Sequence, residues 1–106
     1  MEFNEYQEKT QTTAQYPADK AIEYLTLGIC SEAGEVAGKI KKIIRDGGDM
    51  EEKKRDIAGE LGDVLWYLAQ IGMLIGVKLE DIAISNIEKL QSRKERNAIS
   101  GSGDNR

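Results

Sequence analysis

Residues 25–75, LTLGICSEAGEVAGKIKKIIRDGGDMEEKKRDIAGELGDVLWYLAQIGMLI, decide the fold. Two carboxylate pairs, Glu32/Glu35 and Glu60/Asp63, sit at i,i+3 spacing inside apolar helical patterns. Residues three apart share a helix face, so each pair points its carboxylates in one direction. In the first half the stripe reads Leu25, Ile29, Glu32, Val36, Lys39, Ile43; in the second it reads Ile57, Glu60/Leu61, Val64, Tyr67/Leu68, Ile71, with Asp63 beside it. Acids that merely solvate a helix belong on the opposite face. Here they lie on or beside the faces that should be buried.

Carboxylates gathered where two helices cross repel one another by about 3 kcal/mol per pair at ~6 Å and an effective dielectric near 20. Divalent cations in the gap remove that cost, and an all-oxygen set suits Mg²⁺, with Mn²⁺ as a substitute. Glycines cluster around both pairs, Gly34 and Gly38 at the first, Gly59 and Gly62 at the second. Each is unfavourable within a helix, so close approach of the two backbones is the expected reason for them.

Outward from this pair the chain reads as all-α, an antiparallel bundle of about four helices with the two long acidic ones at its centre. The first helix covers about 3–14, with Asn4 a candidate cap, and ends before Pro17. Asp19 is placed to cap the second helix, which runs to about Arg45 and stops at Asp46-Gly47-Gly48. Asp49 with Glu52 opens the third helix in capping-box fashion; it runs to about Ile75, with Gly76 after it. The fourth spans about 79–96, with two acids at its positive end. Residues 98–106 have the composition of a loop. No stretch alternates as a strand does.

At 106 residues the chain is one domain, small enough that a homodimer or homotetramer is expected to complete its apolar burial. A net charge of −4 argues against nucleic acid or an anionic membrane as partner, and no apolar run reaches the ~20 residues of a membrane span. The single cysteine, Cys30, has no internal partner, which fits a cytoplasmic protein. Histidine is absent, so chemistry must run on carboxylates, metal and water. Asn86, Lys89 and Arg93, at i, i+3 and i+7, form a donor ladder able to hold a phosphate chain; Lys39 lies one turn beyond Glu35. Trp66 and Tyr67 can stack on a base, although core packing is the commoner use of such rings.

Together these residues resemble a family. ExxE at Glu32–Glu35, 24 residues, then ExxD at Glu60–Asp63 is similar to the MazG-type all-α nucleoside triphosphate pyrophosphohydrolases. So are the blocks 27–42 (LGICSEAGEVAGKIKK), 60–71 (ELGDVLWYLAQI), 86–93 (NIEKLQSR) and the tail GSGDNR at 101–106. The resemblance implies hydrolysis between the α and β phosphates, giving a nucleoside monophosphate and pyrophosphate with Mg²⁺, a nucleotide-pool housecleaning reaction. It implies that Glu32, Glu35, Glu60 and Asp63 ligate metal and carry catalysis, that Lys39, Asn86, Lys89 and Arg93 face phosphates, and that the protein is a dimer or dimer of dimers. Two rival readings remain open: a nucleotide-binding regulator that turns over poorly, and a structural helical module whose acids only fix register. The first predicts triphosphate binding without pyrophosphate release, the second no stabilisation by metal.

Overall fold

A computed structural model describes residues 1–106 as four α-helices with no strand: α1 (Phe3–Thr10), α2 (Ala21–Asp46), α3 (Met50–Leu74) and α4 (Leu79–Glu95). The all-α expectation holds. Helices α2 and α3 form the largest packing contact, and α1 lies against both α3 and α4.

The turns behave as their residues dictate. Gly47 takes the left-handed conformation (φ 68°), and the Gly48 N–H reaches back to the Ile43 carbonyl at 3.0 Å. The Asp49 carboxylate accepts from the Glu51 N–H at 3.0 Å and opens α3. Gly76 (φ 78°) turns the chain into α4.

Three local expectations are corrected. Helix α1 stops at Thr10 and tightens into a 3₁₀ turn over Gln11–Thr13. Its threonine hydroxyls bond back to carbonyls three residues earlier, Thr10 to Gln7, Thr12 to Lys9 and Thr13 to Thr10, in competition with the helical pattern. Asn4 does not cap α1; its amide oxygen instead accepts from the Glu80 N–H at 3.1 Å, at the start of α4. Asp19 does not cap α2, because a 3₁₀ turn over Ala18–Lys20 intervenes and no side chain caps that end.

The expected role of the four glycines near the acids does not hold. A Cβ at Gly34, Gly38, Gly59 or Gly62 would meet nothing within 4 Å, so those four do not bring the helices together. The close approach is at Gly28, where a Cβ would fall inside the ring of Tyr67 on α3.

The apolar core is thin: Ala21, Leu25, Ala69 and Leu79. Large apolar side chains remain in the open, including Leu27 (72% exposed), Ile44 (79%) and Leu61 (54%). The radius of gyration is 16.6 Å, against about 13 Å for a compact domain of this length. What the chain buries well is polar. Gln7 inserts among α3 and α4, accepting from the Leu79 N–H at 2.9 Å and donating to the Ala69 and Val77 carbonyls at 3.0 and 3.1 Å.

Candidate functional site

On α2, Tyr24, Gly28 and Glu32 stand at four-residue steps and therefore on one face. On α3, Glu60, Asp63 and Tyr67 form the answering row. Gly28 lies against Tyr67, and one turn further along α2 the carboxylate oxygens of Glu32, Glu60 and Asp63 lie within 4.8 Å of one another. Glu35, exposed on α2, stands outside this group.

Glu32 and Glu60 are half-buried and Asp63 is exposed. Burial pushes the Glu32 carboxyl above the usual carboxylate range; the Asp63 charge and the adjoining Glu60 carboxyl add to the shift. Lys39 Nζ sits 3.7 Å from Glu60 Oε1 and offsets one of the three charges. All three are oxygen donors of the kind a hard divalent cation takes, and these are the side chains that would hold one. The donor set and its uncompensated charge both fit a hard divalent cation.

Beside the acids opens a cavity of about 360 Å³. Glu32 and Asp63 form part of its wall, and Tyr16, Tyr24, Trp66 and Tyr67 supply its aromatic part, with Thr13 and Gln15 at the N-terminal side. The chain has one Trp, four Tyr and one Phe, six aromatics in all, so two-thirds of them gather here. Tyr16 stacks on Tyr24 (centroids 5.4 Å apart, planes at 21°), and Trp66 meets Tyr67 edge-on at 5.0 Å. Burial raises the Tyr67 hydroxyl pKa, helped by the neighbouring Tyr24 hydroxyl and then by the Glu32 and Asp63 charges. A volume of this order accommodates a small ligand.

A model of the MazG nucleotide pyrophosphohydrolase domain matches residues 20–97, most of the chain. The chain belongs to the MazG family. Among its relatives is the "Gene 37 protein" of Mycobacterium phage L5, 44% identical over 114 aligned positions that cover the whole of both chains. Another is the protein YvdC of Bacillus subtilis (strain 168), 35% identical over 74 positions, covering 63% of this chain and 70% of that one. No solved structure matches.

In this MazG chain the donor ladder of α4 is not part of the acidic cavity. Asn86 and Lys89 line a groove of their own with Val77, Asp81, Ile82 and Ser85. Lys89 Nζ pairs with Asp104 Oδ1 at 3.3 Å, and Arg93 Nη2 donates to the Asp104 carbonyl at 2.7 Å and to its carboxylate at 3.4 Å. Lys89 and then Arg93 hold the Asp104 carboxyl below its ordinary range. Arg93 itself is buried (4% exposed).

Four cavity residues, Thr13, Gln15, Tyr16 and Tyr24, escape the sequence reading. The signal for Tyr24 is its four-residue step to Gly28 and Glu32, masked by the stronger Leu25–Ile29 stripe. Thr13, Gln15 and Tyr16 carry no such signal, because a loop side chain's direction depends on tertiary contacts.

Proposed function

We propose that the protein hydrolyses nucleoside triphosphates at the α–β phosphate bond, with Mg²⁺ or Mn²⁺, to nucleoside monophosphate and pyrophosphate. The observation that carries this reading is the meeting of Glu32 from α2 with Glu60 and Asp63 from α3, at the wall of an aromatic cavity, in a MazG-family chain. Glu32, Glu60 and Asp63 would hold the metal, and Glu35, one turn along α2, is near enough in sequence to join them. Bound there, the ion neutralises phosphate charge and makes a bound water more acidic.

The remaining work falls to the chain. The cavity rings hold the nucleoside, presenting the α-phosphorus to the acids. One carboxylate of the set takes the proton of the attacking water as the bond to pyrophosphate breaks. Lys39, with Glu60 as its resting partner, can turn to a phosphate oxygen. Lys89 and Arg93, held by Asp104 outside the acidic cavity, would take a phosphate only by exchanging that anion for it; Asn86, beside Lys89, would add a neutral donor.

Assembly belongs to the same reading. The thin core, the exposed Leu27, Ile44 and Leu61, and a radius of gyration above that of a compact domain support a homodimer or homotetramer. The pairing Gly28–Tyr67, Glu32–Asp63 and Lys39–Glu60, in which one number falls as the other rises, supports an antiparallel course for α2 and α3.

Pyrophosphate release across a triphosphate panel with Mg²⁺ and Mn²⁺ tests the proposal. Glu35→Gln and Asp63→Asn should each lower turnover by orders of magnitude with the fold intact, since electrostatic stabilisation dominates phosphoryl transfer. Nucleoside diphosphate and inorganic phosphate as products would mean the wrong bond and the wrong chemistry.

A further inference from the structure

Three side chains of the aromatic cavity have every hydrogen committed inside the protein. The Trp66 indole N–H donates to Thr13 Oγ1 at 2.8 Å, and the Thr13 hydroxyl donates to the Thr10 carbonyl at 3.2 Å. For Tyr16 the direction is set by a buried relay. Thr10 Oγ1 lies 2.6 Å from the Gln7 backbone carbonyl, which can only accept, so the threonine's one hydrogen points there. Its lone pair must then accept from Gln70 Nε2, at 2.8 Å. That places Gln70 Oε1 toward Tyr16, whose hydroxyl, at 2.6 Å, has no choice but to donate. Thr10 and Gln70 are 3% and 1% exposed, so water cannot substitute for either partner.

Tyr16 and Thr13 can therefore meet a ligand only as acceptors. Glu32 and Asp63, the charged residues of the same wall, add no donor to it. The Gln15 amide and the Tyr24 and Tyr67 hydroxyls can turn to suit either polarity and so do not choose.

We propose that the cavity selects nucleotides whose base bears an exocyclic amino group, with Tyr16 Oη, held as an acceptor by the Thr10–Gln70 relay, as the residue that reads it. This rests on the nucleotide reading given above and names its substrate class. An amino group offers two hydrogens and can serve two acceptors. The uracil or thymine edge offers one N–H between two carbonyl oxygens, each of which would face another oxygen. Toward Tyr16 Oη the exocyclic amino group of cytosine or adenine presents a hydrogen, whereas the oxo group at the same position of uracil, thymine or hypoxanthine sets acceptor against acceptor.

The test is equilibrium binding, with Mg²⁺ and at fixed protein concentration, of α,β-methylene triphosphates, which the proposed reaction cannot cleave. Two matched pairs are compared, cytidine with uridine and adenosine with inosine; within each the difference at the base is amino against oxo. The expected result is tighter binding of the amino member of any pair that binds, by about tenfold. Tyr16→Phe should remove the preference while circular dichroism shows the helices retained. Thr10→Val, which leaves the cavity wall untouched, should weaken it too, because Gln70 is then free to flip and Tyr16 to donate outward. Equal binding within each pair, preference for the oxo member, no binding at all, or a preference that survives both substitutions would overturn the proposal. Hydrolysis of the natural triphosphates is scored separately. Cleavage without amino preference sinks only the selectivity; amino preference without cleavage sinks only the hydrolase.

Discussion

Replacing Glu32 by Gln should move the stability of the metal-free and metal-loaded protein in opposite directions. Glu32 shares a 4.8 Å cluster with two other carboxylates, whereas Lys39 contacts Glu60. Removing the Glu32 charge thus relieves two repulsions within the cluster, and a weaker one from Glu35, without breaking an ion pair. At 4.8 Å and an effective dielectric near 20, each repulsion is about 3.5 kcal/mol. Solvent access to a half-open site and salt screening reduce that to about 1 kcal/mol each. The metal-free variant should therefore be more stable by about 1–2 kcal/mol, a rise in Tm of about 4–8 °C for each kcal/mol in a domain of this size. With metal the order reverses. A cation at 100 times its Kd adds about 2.7 kcal/mol to the wild type, and the variant, short of a ligand, gains little of it. Thermal melts with EDTA and with Mn²⁺, at one protein concentration, should cross in this way. If the two wild-type melts superimpose, or if Glu32→Gln lowers the EDTA melt, the three acids are not a metal site.

The pH dependence follows from the same carboxyl. Its folded pKa is raised above an ordinary value of 4.5, so the folded state holds this proton more tightly than the unfolded one. The associated stability is fully present below about pH 4.5 and is lost as pH rises through the raised value; metal-free melts should show that decline, and Glu32→Gln should flatten it. Gln7→Ala strips partners from the Leu79 N–H and from the Ala69 and Val77 carbonyls, which should cost about 3 kcal/mol in urea unfolding. The exposed Gln91→Ala serves as control, within about 0.5 kcal/mol of wild type. Gly28→Ala drives a methyl into the Tyr67 ring, for about 1–3 kcal/mol of overpacking. It should also change Trp66 fluorescence, because Trp66 lies edge-on to that ring; an unchanged spectrum would mean that the ring does not move.

How legible the molecule is depends on the range of the interaction. The long helices and their stops at Gly47 and Gly76 follow from periodicity and from residues that tolerate a left-handed backbone, and both are local. The meeting of Glu32 with Glu60 and Asp63 is legible because two local faces happen to be complementary. Lys89 and Arg93 read from sequence as free donors, yet Asp104, 15 and 11 residues along, holds both. Spacing within one helix carries no information about a loop folding back onto it. The four glycines near the acids mislead in the same way: their placement suggests a helix contact, while the contact itself is made by Gly28, one turn before Glu32.

Helix α1 shows most plainly why propensity is a poor guide to what matters here. Its sequence FNEYQEKT is short, and the QTT that follows leaves the α-helix altogether. Nearly every polar side chain facing inward has a tertiary partner. Asn4 meets Glu80, Gln7 meets Leu79, Ala69 and Val77, Thr10 meets Gln70, and Thr13 meets Trp66. These bonds do three jobs that a longer apolar helix could not. They cap α4, which has no side-chain cap at its own first residue. They satisfy buried groups on α3 that would otherwise cost about 1–3 kcal/mol each. They also fix the polarity of the cavity wall, because the direction of each hydroxyl is decided by a carbonyl or amide behind it. An apolar α1 would supply packing area to a chain that lacks it, but it would leave the end of α4 uncapped and Tyr16 free to donate or accept. The polar α1 is thus a segment that orients side chains of the cavity, in a protein that leaves large apolar side chains of α2 and α3 exposed.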